Sequence, residues 1–206
     1  MYQLSEEPKD LEQRVWLDVS ITRASFEIVS SFLKPLQKES SEHFKNRDFP
    51  FTHPISWACF ESLISSLGRL FNDSPKPNEA TLKKLVDKVK VELKSGKAIE
   101  RHSKFSKESA EKLQDRNLMR LMNNRFKTLW KKIEDLRHKV VSHSDLTFPY
   151  AQLPNLMLDV TELIDFAEET HRTCQSALLD SCQVGPYLNG LFKRIARNWI
   201  DTLKTR

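Results

Sequence analysis

A chain of 206 residues with 4 glycines, 39% hydrophobic and 30% charged residues is composed for helices, since barrels, sandwiches and dinucleotide-binding sheets need the glycine-rich turns it lacks. Its length suits one helical domain over 1–206 with a sizeable core. The net charge of +5 is uneven: residues 76–139 hold 19 Lys and Arg against 9 Asp and Glu, an excess of ten that leaves the remainder near −5, a distribution that suits a polyanion-facing surface and equally a solvated, lysine-rich helix face.

In chain order, Leu11, Val15, Val19, Thr22, Phe26, Val29, Leu33 and Leu36 recur at steps of three and four. That is the seam of an amphipathic helix over roughly Pro8 to Glu39, with Pro35 placed to kink or stop it. The polar stretch Glu39 to Pro54 reads as a loop. A second helix, about Ile55 to Phe71, carries Ile55, Trp57, Ala58, Phe60, Leu63, Ile64, Leu67, Leu70 and Phe71. Apolar around most of its circumference, it is predicted to be central, with Gly68 admitting a close helix crossing. Two prolines between Asn72 and Pro77 end it. Asn78 is placed to cap a shorter third helix bearing Leu82, Leu85, Val86, Val89 and Leu93; Ser95-Gly96 closes that helix, and Lys97 to Phe105 is a basic connector. A fourth helix starts near Ser106, with its seam at Leu118, Met122, Phe126, Leu129, Ile133, Leu136 and Val140. Pro149 and Pro154 punctuate the next loop, Pro154 suiting a first helical position. A fifth helix carries Leu156, Val160, Leu163, Ala167, Cys174 and Leu178. After Gly185-Pro186, a C-terminal helix over 184–206 carries Leu188, Leu191, Phe192, Ile195, Trp199 and Leu203. The pattern predicts an all-α antiparallel bundle of five or six helices.

No run of 18 apolar residues is present, and Met1 to Glu7 lacks the apolar segment of a secretory signal. The expected setting is the cytoplasm, without membrane contact, where Cys59, Cys174 and Cys182 stay reduced. Ser142-His143-Ser144-Asp145 contains the residue types of a catalytic triad, but adjacent residues rarely face one another and no glycine-rich oxyanion turn accompanies them. His171 and Cys174 with Cys182 lack the second ligand pair of a zinc site. The scattered glycines form no phosphate-cradling loop.

Chemistry concentrates in Leu136-Arg137-His138-Lys139-Val140-Val141-Ser142-His143-Ser144-Asp145. An always-charged Arg can hold a phosphate, and a His titrating near neutrality can move a proton. The seam projected one turn past Val140 lands on His143. Arg137 and His143 differ by about 240° around an ideal helix, so a single straight helix does not join their heads. Convergence needs a helix end or distortion near Ser142, or a second copy of the chain. The runs Lys83-Lys84 and Lys131-Lys132 read as solvated faces or as tracks for an RNA backbone.

This motif, together with the helix running from Trp57 to Asp73, the short Leu82/Leu85 helix and the later Leu163-Ile164-Asp165-Phe166-Ala167-Glu168 segment, resembles a HEPN domain over roughly Ile55 to Thr170, and loosely over the first helix. It is most similar to the abortive-infection subgroup of prokaryotic phage defence. The HEPN signature is an Arg, a polar residue, and a His four to six residues beyond the Arg; Arg137, His138 and His143 fit it. The resemblance implies a metal-independent endoribonuclease with no cofactor, usually a homodimer whose two motifs face each other, acting as a toxin or abortive-infection effector on RNA. It also implies roles. His143 takes the proton from a ribose 2′-hydroxyl, Arg137 holds the non-bridging phosphate oxygens, and His138 orients the phosphate or protonates the leaving 5′-oxygen. Lys131, Lys132, Lys139 and Ser142 are candidate RNA contacts, and Asp145 orients His143 or caps the loop. An antitoxin, of nucleotidyltransferase or other type, is a further expected partner. Asp145 stands, however, where HEPN toxins silenced by such an enzyme carry the modified Tyr, which puts that route in doubt. A non-catalytic nucleotide- or protein-binding module of the same defence systems would use the same residues.

Overall fold

The structure, a computed structural model, describes residues 8–33, 54–72, 74–95, 104–140 and 153–179. These form six helices: α1 (Pro8–Leu33), α2 (Pro54–Leu70), α3 (Leu82–Lys94), α4 (Lys104–Gln114), α5 (Arg116–Val140) and α6 (Leu153–Leu179). No strand occurs among the described residues, in agreement with the expected all-α bundle. Residues 34–39 of the first predicted helix and the predicted C-terminal helix at 184–206 lie outside the described residues.

The seams read from the sequence are the seams that pack. Leu11, Val15, Val19 and Val29 of α1 are buried, with Phe26 against the same core. They lie along α2 and meet α6 and α3. Phe60, Leu63, Ile64, Leu67 and Leu70 make α2 the central element as expected, bordered by α1, α5 and α6. Its outer positions are not all covered, for Ala58 and Arg69 are exposed. Val160, Leu163, Ile164, Ala167, Cys174 and Leu178 of α6 close the other side of the core. Where α2, α5 and α6 meet, Phe71, Phe126 and Phe166 stand with ring centroids 5.1 to 6.2 Å apart, the offset and edge arrangements that ring quadrupoles favour.

Local chemistry moves three expected boundaries. Thr81, not Asn78, caps α3: its buried hydroxyl accepts from the Lys84 amide at 3.2 Å, and its own backbone stays extended. The fourth predicted helix is two helices. Asp115 interrupts it because its Oδ1 accepts from the amides of Asn117 (2.8 Å) and Leu118 (3.3 Å), an N-cap that restarts the helix at Arg116. Past the restart the seam runs as expected through Met122, Phe126, Leu129 and Ile133; only its first position differs, Met119 being buried and Leu118 exposed. The first of these two helices begins at Lys104 rather than near Ser106, so the expected basic connector ends two residues earlier. Pro154 sits second in α6, within its first turn, where its missing N–H costs no helix bond.

Cations from three helices meet the outer face of α6. Arg23 of α1 forks onto Glu168, with Nε 2.6 Å and Nη2 2.7 Å from the two carboxylate oxygens, and reaches Asp165 at 2.9 Å. Lys112 of α4 reaches Glu169 at 2.9 Å, Arg125 of α5 reaches Glu162 at 3.4 Å, and Lys132 of α5 lies 2.6 Å from Asp159. Only the Arg23 pair is mostly shielded, its side chains keeping 17% and 20% of their surface. Arg23→Ala should therefore cost about 2 kcal/mol, in the range of hydrogen bonds to charged groups. Arg69→Ala, at an exposed pair with Asp18, should cost under about 1 kcal/mol. Urea unfolding of both variants checks the difference, and equal losses would contradict it.

Candidate functional site

The placement of Arg137 follows from the seam of α5. Ile133 is fully buried, and Arg137 lies one turn on, about 40° from it around the helix; His138 lies about 140° away. Arg137 therefore leans over the edge of the core while remaining exposed as a residue, and His138 is exposed. What the stem leans on is Gly68 of α2. A Cβ built at Gly68 would stand 2.7 Å from Cδ, 3.2 Å from Nε and 3.4 Å from Nη1 of Arg137. The glycine expected to admit a helix crossing instead admits the length of an arginine. Gly68 sits in a helix interior, between the buried Leu67 and the exposed Arg69, where Ala would be favoured by about 1 kcal/mol. An isolated glycine in an apolar helical pattern was the visible signal; its partner is set by how α2 and α5 pack.

Arg137 makes no ion pair among the described residues, and neither does Lys131, seven residues before His138 and so on nearly the same face of α5. Lys132 is engaged differently, bonded to Asp159 at 2.6 Å and near Glu162 at 3.5 Å. The hydrogen bond to Asp159 raises its pKa above the usual lysine value. Its charge is thus answered within the bundle. Ser142, His143 and Asp145 lie outside the described residues, as does the side chain of Lys139. Arg137 and His138 are thus placed side by side at the end of α5.

The His171-x-x-Cys174 pair lies elsewhere, inside the seam between α1 and α6. His171 Nε2 hydrogen-bonds to Glu12 Oε1 at 2.7 Å, and Gln175 Nε2 donates to the same oxygen at 3.1 Å. All three residues are buried, which ties the ends of two helices through a satisfied polar network. Burial, reinforced by the nearby Glu12 charge, pushes the Cys174 thiol far up. Among the described residues no group of three His, Cys, Asp or Glu is placed to hold a metal ion, and no helix is long and apolar enough to cross a membrane.

A family model of HEPN type, described as AbiU2, matches residues 11–180. No curated protein and no solved structure matches the chain. The family match covers every described helix save the first three residues of α1, and so takes in the first helix, to which the resemblance read from the motif reached only loosely.

Two outcomes follow from the packing. Gly68→Ala should fold and hold or gain stability, by up to about 1 kcal/mol of helix propensity, because the atom in its way belongs to a flexible side chain. Thermal denaturation checks this, and a loss above about 2 kcal/mol would mean that Arg137 cannot yield. Cys174 should resist iodoacetamide at pH 8 in the native protein and react only after unfolding, since the thiolate is the nucleophile; rapid native labelling at Cys174, read by peptide mass, would contradict its burial.

Proposed function

The chain belongs to the AbiU2 family of HEPN-type abortive-infection proteins, and we propose that it is a metal-independent endoribonuclease built on Arg137, His138 and His143. What supports the reading is the state of Arg137: an exposed arginine with no carboxylate partner among the described residues, laid from Cδ to Nη1 over a glycine. A planar, permanently charged donor so placed suits the non-bridging oxygens of a phosphodiester.

In the proposed reaction His143 removes the proton from a ribose 2′-hydroxyl. The 2′-oxygen attacks the adjacent phosphorus, the bond from phosphorus to the 5′-oxygen breaks, and that oxygen takes up a proton. A 2′,3′-cyclic phosphate and a 5′-hydroxyl result. Arg137 binds the negative charge that grows on the non-bridging oxygens, and His138 orients the phosphate or supplies the proton to the leaving oxygen. A homodimer with the two motifs opposed would bring His143 of one copy to the Arg137 of the other. Lys131 and Lys139 extend the anion-binding surface, with Ser142 at the motif's edge. RNA is the substrate, abortive infection the setting and the cytoplasm the compartment. An antitoxin would act on this same motif, and with Asp145 where a modifiable Tyr would stand, it would act without transferring a nucleotide there.

Purified protein incubated with transfer and messenger RNA in EDTA tests the proposal. Cleavage is expected, falling about 10²–10⁴-fold in His143→Ala and in Arg137→Ala. Gly68→Ala, which displaces rather than removes the guanidinium, should lose about 10–100-fold through misplacement alone. Full cleavage by His143→Ala would remove the proton-transfer role, and an inert parent protein would leave the non-catalytic module in its place.

A further inference from the structure

Four of the five lysines of α3 take no part in the ion pairs that tie α1, α4 and α5 to α6. Arg23, Lys112, Arg125 and Lys132 each meet a carboxylate of α6. α3 carries five lysines against Asp87 and Glu92. Of these, Lys83, Lys88, Lys90 and Lys94 form no ion pair among the described residues. The cause lies in the helix itself. Leu82, Leu85, Val86 and Val89 fill the core side, which turns the lysines outward around the exposed Val91, while the acidic residues of α6 that could answer them are already occupied.

Lys84 shapes what lies between. Its ammonium donates to the carbonyls of Pro77 (2.5 Å) and Glu79 (3.4 Å), binding the segment after α2 against the helix. Alongside runs a groove of about 420 Å³ lined by Pro75, Val91, Lys83, Lys84 and Lys88, with Asp87 its one acidic residue. Pro75 follows Phe71 by four residues and Gly68 by seven, so it stands within about 19 Å of the glycine under Arg137.

We propose that this groove binds the backbone of single-stranded RNA at a second place outside the motif, an inference that rests on the RNA reading above. Lys83 and Lys88 both line the groove, about 7.5 Å apart along the helix axis and about 140° apart around it, so they flank it and can each meet a phosphate of a chain lying between them. The apolar surface of Pro75 and Val91 lies between them for ribose and base faces. A protein partner finds too little here, because Val91 and Pro75 offer no aromatic anchor and no broad apolar core.

The test is binding of a fluorescent 2′-O-methyl oligoribonucleotide, which has no 2′-hydroxyl to attack, to the full chain, read by anisotropy across a salt series. The K83E/K88E variant should bind at least about tenfold more weakly. Its log–log salt dependence should be shallower by about 1.4, or roughly 0.7 for each phosphate contact removed. Its melting temperature should stay within a few degrees of the parent, since neither lysine is paired. A folded K83E/K88E protein that binds as the parent does would overturn the proposal, and so would a groove that takes polyglutamate and not RNA. Lysine-dependent binding by a protein that cuts no RNA would support the groove and reject the nuclease. Unchanged binding by a variant of a protein that does cut would do the reverse.

Discussion

The contact on which the site depends is the passage of Arg137 over Gly68, where any side chain would stand 2.7 Å from the arginine Cδ. A helix interior disfavours glycine, and nothing in the backbone of α2 requires it there. The position serves its neighbour: the stem of Arg137 lies flat on the edge of the core, so its freedom is reduced before any ligand arrives. A long side chain that is already confined loses less entropy when it grips a phosphate. A site of this kind trades local helix stability for placement of one charge, the compromise expected where function and folding compete for a residue.

Around that contact the fold sorts its cations into two populations. α6 presents Asp159, Glu162, Asp165, Glu168 and Glu169 on its outer side, and α1, α4 and α5 answer them with Arg23, Lys112, Arg125 and Lys132. These pairs tie α1, α4 and α5 to α6, and they take up three cations of the basic middle, Lys112, Arg125 and Lys132. Arg116, Arg120, Lys127, Lys131 and Arg137 of α5 and four lysines of α3 are among the cations that form no ion pair with a described residue. An excess of basic residues in a sequence therefore says less about polyanion binding than the identity of those left unmatched. Lys131 and Lys132 make the point as neighbours, for one faces water and the other bridges Asp159 and Glu162.

The seams of α1, α2, α3 and α6 were legible because a period of three and four survives any tertiary arrangement. The break at Asp115 was not, since Ser106 to Val140 keeps helical character throughout and the deciding event is a carboxylate competing for two amides. The first seam position falls at Met119 rather than Leu118, while Met122, Phe126, Leu129 and Ile133 pack as read. Thr81 displaced Asn78 as a cap: both can accept from an amide, and the one that adjoins the first buried apolar residue of the helix, Leu82, stands at its start. The candidate site was legible as residue types, because arginine and histidine near a helix end are visible in one dimension. Its support was not. Gly68 and Arg137 are 69 positions apart, and Glu12 and His171 are 159 apart, so only packing reveals that one pair is a close contact at the candidate site and the other a buried tie between helices.

If an arginine placed this way acts with a histidine base on the ribose itself, the chemistry leaves its signature on the cut ends, whatever the RNA and whatever cue releases the activity. Mass spectrometry of the fragments made in EDTA reads that signature directly. A 2′,3′-cyclic phosphate, or the monophosphate from its opening, paired with a 5′-hydroxyl is the predicted result. Fragments bearing a 3′-hydroxyl and a 5′-phosphate would contradict attack by the 2′-hydroxyl, and with it the role assigned to Arg137.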